Sequence, residues 1–378
     1  MKYVKYSFCG IFVFILFFFF IMTANNNQKI SKIEKRKLQT FPSLHAETIA
    51  DGSYMQDLTT AFSDQLELRD LLVKGYYIFQ FQRYSGDVVK GKNNELYAAY
   101  QRSGKMSDIK KDLKASALLI NEVASEIDAK FIFLSIPRKD AVETKNLPSS
   151  YISSLERYEK SVDIMRDALD EDITFVDAND VFRADNYKHR YYYITDHHMT
   201  PAGAELLYKE ILKVICNKSI PIYDLSQYEI GQTIVNGSFN NQIGQSVKAS
   251  PEDLYILPKY ELPYTRYEDG KKSSMKVYDK ANTYEDAYMK GDHAETIIDT
   301  NRPNLPNILY VGSSFTNILE AFSIPSFNKM VSIDYRHNKT KQSISDYVKA
   351  YDIDYVIFIP SQSDNAFSKS AIKEHLGK

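Results

Sequence analysis

The sequence predicts an α/β protein, a layered fold with a mostly parallel central sheet flanked by helices, behind an N-terminal transmembrane anchor. Three observations predict it. From about residue 107 onward, short apolar runs alternate with stretches of helical period. Those runs are strand-length and nearly continuous, as in strands buried on both faces. Before them, Tyr6 to Ala24 carries no charge and contains Phe8, Phe12, Phe14 and Phe17 to Phe20.

At 1.5 Å rise per residue, the roughly 19 residues of that run span a hydrocarbon core of roughly 30 Å. Lys2 and Lys5 precede it and favour an inside N-terminus. Lys29, Lys32, Lys35, Arg36 and Lys37 follow it and oppose that orientation, although a long domain translocates largely regardless of such charge. A cleaved signal peptide would need small residues before Ala24, and Met22 stands where one is required, so a retained anchor is expected. The expected organisation is a cytoplasmic tip over 1–5, an anchor over 6–24, a polar stalk over 25–55 and an extracytoplasmic domain over 56–378. The protein is thus expected at the cell membrane as a single-pass chain.

Within the domain, Leu58, Phe62, Leu66, Leu71, Tyr76 and Phe79 predict helical structure over 56–82. A second helix runs from Ser107, a plausible N-cap, to Asp128, with Ile109, Leu113, Ala117, Ile120, Ala124 and Ile127 on its apolar side. Phe131 to Ile136 is a buried strand closed by Pro137. Helix follows over 154–169, strand over 173–176, and helix over 201–215. Residues 218–300 are irregular, with Gly231, Gly237 and Gly244 among short β-like pieces, and read as an insertion or a small subdomain. Regular alternation then returns: strand 307–311, helix 315–322, strand 330–333, helix 344–351 and strand 355–359.

The 378 residues are 44% hydrophobic and 25% charged, with a net charge of −2, which gives no sign of a nucleic-acid partner. Tyrosine is plentiful at 29 residues and tryptophan is absent, a pattern that fits biased coding first and sugar-contacting tyrosines second. Of the two cysteines, Cys9 lies in the anchor and Cys216 stands alone, so the outer domain has no internal disulfide and no cysteine zinc site. That usage suits a bacterial surface, and no cofactor is expected.

The most informative stretch is Tyr191 to Ala204, Tyr-Tyr-Tyr-Ile-Thr-Asp-His-His-Met-Thr-Pro-Ala-Gly-Ala. Aromatic and β-branched residues predict a strand to Thr195. Thr200 and Pro201 then open a helix, so Asp196 and His198 sit on a short, stiff loop. A second stretch, Asn307 to Asn317, runs a hydrophobic strand through Gly312-Ser313-Ser314 into a helix. A serine at such a turn stands at the carboxyl end of the sheet, beside backbone N–H groups suited to an oxyanion. Ser314 is the candidate nucleophile, His198 the general base, and Asp196 the carboxylate that orients it. Ser313 or Ser314 as a mere helix cap is the bland reading of the second stretch alone; its joint occurrence with Asp-His-His favours catalysis. Asp-His-His also suits a metal-dependent phosphoesterase, but the further upstream clusters such a site needs are not evident, so no metal is expected. His197 reads as a neighbour rather than the base, and Asn317 as surface polar. Arg336 is a candidate for carboxylate or oxyanion binding, or for an ion pair with Asp334 or Asp354. Arg138 and Lys139, at a strand end, are candidates to grip an anionic polymer, or are solvated loop charges.

The Asp196-His197-His198-Met199 stretch, the Gly312-Ser313-Ser314-Phe315 turn and the single anchor resemble the DHHW proteins. These are similar to the SGNH-hydrolase-like proteins that O-acetylate alginate and other exopolysaccharides. Glu34 to Pro42, Phe131 to Lys139 and Asp334-Tyr335-Arg336 match as well, so the resemblance covers roughly residues 33–365. It implies an SGNH-like fold, with Asp196 and His198 preceding Ser314 in the chain. It further implies acyl transfer or ester hydrolysis on a surface polysaccharide, often beside a multi-pass membrane acyl donor. Gly312 and Gly291, with Asp292 beside the latter, are implied oxyanion or substrate contacts. Two positions depart from the family: Met199 replaces a tryptophan, altering packing or sugar contact, and Ser313 replaces an aspartate that shapes the nucleophile turn. Those departures motivate the alternative of a weak or inactive scaffold that binds surface glycan or a membrane acyl donor.

Overall fold

In a computed structural model the described residues are 2–31, 36–82, 87–100, 105–235, 237–338, 342–360 and 367–378, with the backbone alone for 2–5, 8, 9 and 80–82. The chain forms two compact units, one of residues 1–88 with 240–248 and the other of 89–239 with 249–378.

The first unit begins with a helix, Lys2–Asn25. Among the described residues no helix is long and apolar enough to cross a membrane. Met1 and the side chains of the rest of the expected cytoplasmic tip, and those of Phe8 and Cys9 within the expected anchor, lie outside the described residues. The polar stretch after the helix is tied down by two buried side chains. Asp64 accepts from Arg36 Nη1 and Nη2 at 2.9 and 2.6 Å and from the Gln39 amide at 2.8 Å. Gln65 donates to the Gln28 and Gln39 carbonyls and accepts from the Gln28 amide. Helical period over 56–82 resolves into two helices, Ser53–Gln65 and Arg69–Gln82. Leu68 breaks the run by taking φ +60°, a left-handed conformation that an α-helix cannot continue through.

The second unit is built on an eight-stranded sheet. Its strands are β1 (Lys130–Ser135), β2 (Thr174–Asp177), β3 (Thr265–Glu268), β4 (Lys271–Ser273), β5 (Glu295–Asp299), β6 (Ile308–Val311), β7 (Lys329–Ile333) and β8 (Tyr355–Phe358). They lie in the order β4-β3-β5-β7-β6-β8-β1-β2. The five from β7 to β2 pair in parallel; β4, β3 and β5 add an antiparallel edge. The sheet is thus mostly parallel, as the alternation of elements predicts. Residues 218–300 supply that antiparallel edge, together with a hairpin of Tyr228–Ile234 and Pro251–Pro258.

Uniformly apolar strands follow from burial on both faces. Ile132, Leu134, Ile308, Tyr310 and Ile357 enter one core with the helices Pro201–Ile215 and Thr316–Ser323. Phe131, Phe133, Leu309, Val311, Val356 and Phe358 enter the other, with the helices Met106–Ser125, Leu155–Ala168 and Ile344–Tyr351. Each fully buried side chain of this size contributes about 1.5–3 kcal/mol of transfer free energy.

Two local expectations fail. The helix expected from Ser107 has Lys105 in its cap position, with no side-chain cap. The stretch Tyr191 to Thr195 is not a strand. It makes one isolated bridge, Tyr192 with Met199, and its other polar groups are shared between side chains and scattered backbone partners such as the Leu96 and Phe239 amides, not a neighbouring strand. The helix behind it begins as predicted: the Thr200 side chain accepts from the Gly203 amide, and Pro201 follows in the first turn.

Candidate active site

Ser314 stands at the carboxyl end of β6, which has the parallel strands β7 and β8 on its two sides. Gly312 makes the exit from the strand: its amide donates to the Ile333 carbonyl at 3.1 Å. A Cβ there would meet Thr316 Cγ2 at 2.8 Å and the Ile359 carbonyl at 2.9 Å, so the turn passes between its neighbours only as glycine. The Ser313 carbonyl then accepts from the Thr316 amide at 2.8 Å, opening the helix Thr316–Ser323. The Ser314 amide makes no hydrogen bond among the described residues, which leaves it available to an oxyanion.

Asp196 and His198 approach from the loop before Pro201. His198 Nε2 lies 2.8 Å from Ser314 Oγ, and His198 Nδ1 lies 2.7 Å from Asp196 Oδ1. A carboxylate only accepts, so Nδ1 carries the proton and Nε2 is the acceptor facing the serine. Asp196 also takes the His198 amide at 2.9 Å and, on its other oxygen, the Ser238 amide at 2.5 Å. Burial pushes the Asp196 carboxyl up, but His198, His197 and the Ser238 amide together hold it well below the usual carboxylate range. Asp196 and His198 are each 2% exposed.

Asp196, His197 and His198 also form a group with metal-ligand chemistry, as Asp292, Asp334 and His337 do. In the first group both ring nitrogens of His198 already face hydrogen-bond partners, the geometry of a proton relay. His197 is the neighbour the sequence suggests. Its Nδ1 lies 2.7 Å from Ser238 Oγ, its ring lies 3.9 Å from that of His198, and burial and the adjacent His198 push its pKa down.

The other sequence candidates divide. Gly312, Ser313, Gly291, Asp292 and Asn317 line one pocket beside the nucleophile turn, and Glu320 forms part of its wall. Gly291 closes a left-handed run, Met289 at φ +57°, Lys290 at +61° and Gly291 at +98°, of the kind found where strain serves a site. Asn317 is not surface polar: it is buried, and its Nδ2 donates to Asp292 Oδ1 at 3.1 Å. Arg336 is held in an ion pair with Asp334, as its alternative reading has it, and its Nη2 lies 3.8 Å from Asp292 Oδ2. Arg138 and Lys139 do not form a polymer grip. Arg138 bonds Asp140 Oδ1 and the Ala98 carbonyl, and Lys139 is buried. Met199, where the family resemblance expects tryptophan, is wholly buried in the core, so the departure concerns packing rather than sugar contact.

Two contributors have no legible sequence signal. Tyr284, from within 218–300, stacks on the His198 ring with centroids 3.9 Å apart and planes 4° apart. Its hydroxyl donates to the Ser314 carbonyl at 2.9 Å and accepts from the Ile318 amide at 3.2 Å, so one side chain fixes both base and nucleophile turn. Ser238 is placed by Gly237, where a Cβ would lie 2.1 Å from the Thr195 carbonyl oxygen.

Solved structures share this fold. A DHHW family protein from Eubacterium siraeum is 19% identical, with a TM-score of 0.60 over 77% of this chain and 97% of that one. PatB1 of Bacillus cereus is 22% identical, with a TM-score of 0.58 over 76% and 98%. PatB1 with a sulfonyl adduct is 19% identical, with a TM-score of 0.59 over 76% and 97%. No curated protein sequence matches the chain. A family model described as SGNH hydrolase-like domain, acetyltransferase AlgX, matches residues 88–320, more than half of the chain, and the protein belongs to that family.

Proposed function

We propose that the protein is a membrane-anchored, extracytoplasmic serine acyltransferase that moves an acetyl group onto or off a cell-surface polysaccharide. The observation that carries this reading is the Asp196–His198–Ser314 relay, with contacts of 2.7 and 2.8 Å at the carboxyl end of a parallel strand. Membership of a family described by an acetyltransferase supports the acyl group.

In the first half-reaction Ser314 Oγ attacks the acyl carbonyl while His198 Nε2 takes its proton. The oxygen that becomes negative is met by the Ser314 amide and the N-terminal end of Thr316–Ser323. Ionised Asp196 stabilises the imidazolium through Nδ1. The tetrahedral intermediate collapses as His198 returns the proton to the departing oxygen, leaving an acyl ester on Ser314. In the second half-reaction His198 deprotonates a sugar hydroxyl or a water, which attacks the acyl carbonyl. The proton returns to Ser314 Oγ, and the product is an acetylated sugar or free acetate.

The domain from about residue 56 would stand outside the membrane, held by residues 6–24 as a retained anchor over the connecting stretch 25–55. Support comes from the charge-free run Tyr6 to Ala24 behind Lys2 and Lys5. That placement puts Ser314 where a multi-pass membrane protein can hand over an acyl group. A fluorophosphonate probe on the full chain tests the chemistry: wild type becomes labelled at Ser314 and Ser314→Ala does not. Equal labelling of both, or none on a folded wild type, sinks the serine mechanism. In cells, loss of surface O-acetylation on deletion, unrestored by a His198→Ala copy, tests the substrate class.

A further inference from the structure

Lys139 lies in the first turn of Lys139–Val142 and is 3% exposed. Its ammonium donates to three backbone carbonyls, Leu96 at 2.8 Å, Tyr193 at 2.6 Å and Ile194 at 2.7 Å. Glu95 Oε1 lies 3.4 Å away, and the rings of Tyr97 and Phe239 face the ammonium at 5.0 and 5.9 Å. Tyr193 and Ile194 immediately precede Thr195 and Asp196 in the chain. With no strand partner, this segment's buried backbone groups need other partners. Backbone groups supply some, such as the Leu96 amide on the Ile194 carbonyl at 2.9 Å, and charged side chains supply others. Glu143 Oε1 accepts from the Tyr191 and Tyr192 amides at 2.8 and 3.3 Å, and Glu252 Oε1 accepts from the Ile194 amide at 2.8 Å. Arg190 and Asn146 in turn hold Glu95 at 2.5 and 2.7 Å.

We propose that Lys139 is a positioning residue for the reaction: its buried ammonium braces the Tyr193–Ile194 backbone and so sets where Asp196 and His198 stand relative to Ser314. This rests on the reading of those three as the reacting groups. The chemistry of the brace is specific. An ammonium has three donors on a compact centre and here meets three carbonyls, whereas a planar guanidinium presents its donors as a fork. Burial pushes the Lys139 pKa down and Glu95 opposes that, while burial pushes Glu252 up. A buried charge is tolerated when it is this fully coordinated; removing it takes the ammonium away from all three carbonyls, although Ile194 keeps the Leu96 amide at 2.9 Å and Glu95 keeps Arg190 and Asn146. The slack would fall on Tyr193 and Ile194, three and two residues before Asp196, and a displacement on the order of 1 Å passed on to Asp196 and His198 costs about 10²-fold in rate.

The test compares full-length wild type, Lys139→Met and Lys139→Arg, with p-nitrophenyl acetate as substrate and hydrogen exchange as a second readout. In Lys139→Met, kcat is expected to fall about 10²-fold with KM changed by less than about threefold. Exchange at the Ile194, His198 and Phe239 amides should quicken while the β6 amides stay protected. Should Lys139→Met fail to fold, Lys139→Arg takes its place: it keeps the charge but not the three-carbonyl geometry, and the same kcat-selective loss is expected. Wild-type kcat in a folded variant overturns the proposal, as does a loss accompanied by equal loosening of β6. Ser314→Ala separates the two ideas. If it keeps wild-type turnover, the serine reading fails, while faster exchange around Asp196 in the Lys139 variants still reports the brace.

Discussion

Replacing Gly237 with alanine should disable the relay without touching any of its three members. A Cβ at 237 would lie 2.1 Å from the Thr195 carbonyl oxygen, 2.4 Å from its carbon and 2.6 Å from Thr195 Oγ1. Two of these are backbone atoms, so no side-chain rotation relieves the clash, and the segment must retreat by about 1 Å in a close-packed surrounding. That retreat acts on the Ser238 amide, now 2.5 Å from Asp196 Oδ2, and on the Phe239 amide, 3.1 Å from the Thr195 carbonyl. Losing a hydrogen bond to a charged group costs about 1.5–3 kcal/mol, or roughly 10- to 150-fold if it is expressed in the transition state. The assay is kcat/KM for p-nitrophenyl acetate in wild type, Gly237→Ala, Asp196→Asn and the double variant. If Gly237 acts through Asp196, the double variant should be no slower than Asp196→Asn alone, since groups that act as a unit are not additive. A wild-type rate in folded Gly237→Ala, or full additivity with Asp196→Asn, would refute the reasoning.

Tyr284→Phe keeps the stack on His198 and removes the bonds to the Ser314 carbonyl and the Ile318 amide; at about 1 kcal/mol per bond, kcat should drop roughly 30-fold. Tyr284→Leu also removes the stack and should be slower still, and equal rates for the two variants would show that the ring face contributes nothing. Asp196 sets a pH signature. Its folded pKa is depressed, so its contribution to stability is fully present above the unfolded value of about 3.9 and is lost as pH falls through the lower folded value. The melting-temperature gap between wild type and Asp196→Asn should therefore hold steady above about pH 5 and shrink below about pH 4. A gap that widens on acidification would contradict the assignment.

The features legible from residue order alone are local and periodic. Nearly continuous apolar runs of strand length, such as Phe131 to Ile136, read as strands buried on both faces, and alternating with helices they announce a covered, mostly parallel sheet. Thr200 and Pro201 mark a helix start through capping chemistry that acts within a few residues. Gly312-Ser313-Ser314 after such a strand marks the turn that presents Ser314. Tertiary structure decided whatever depends on residues distant in the chain. Only packing brings His198 within 2.8 Å of a serine more than a hundred positions later. Only packing turns Tyr284 onto its ring, or sets the Ser238 amide against Asp196, since nothing in the neighbouring residues encodes either contact. Lys139 shows the reason most plainly. Residue type predicts an exposed cation at a strand end. The fold instead gives its ammonium three carbonyls and a carboxylate, and that coordination, which no local pattern records, is what makes burial tolerable.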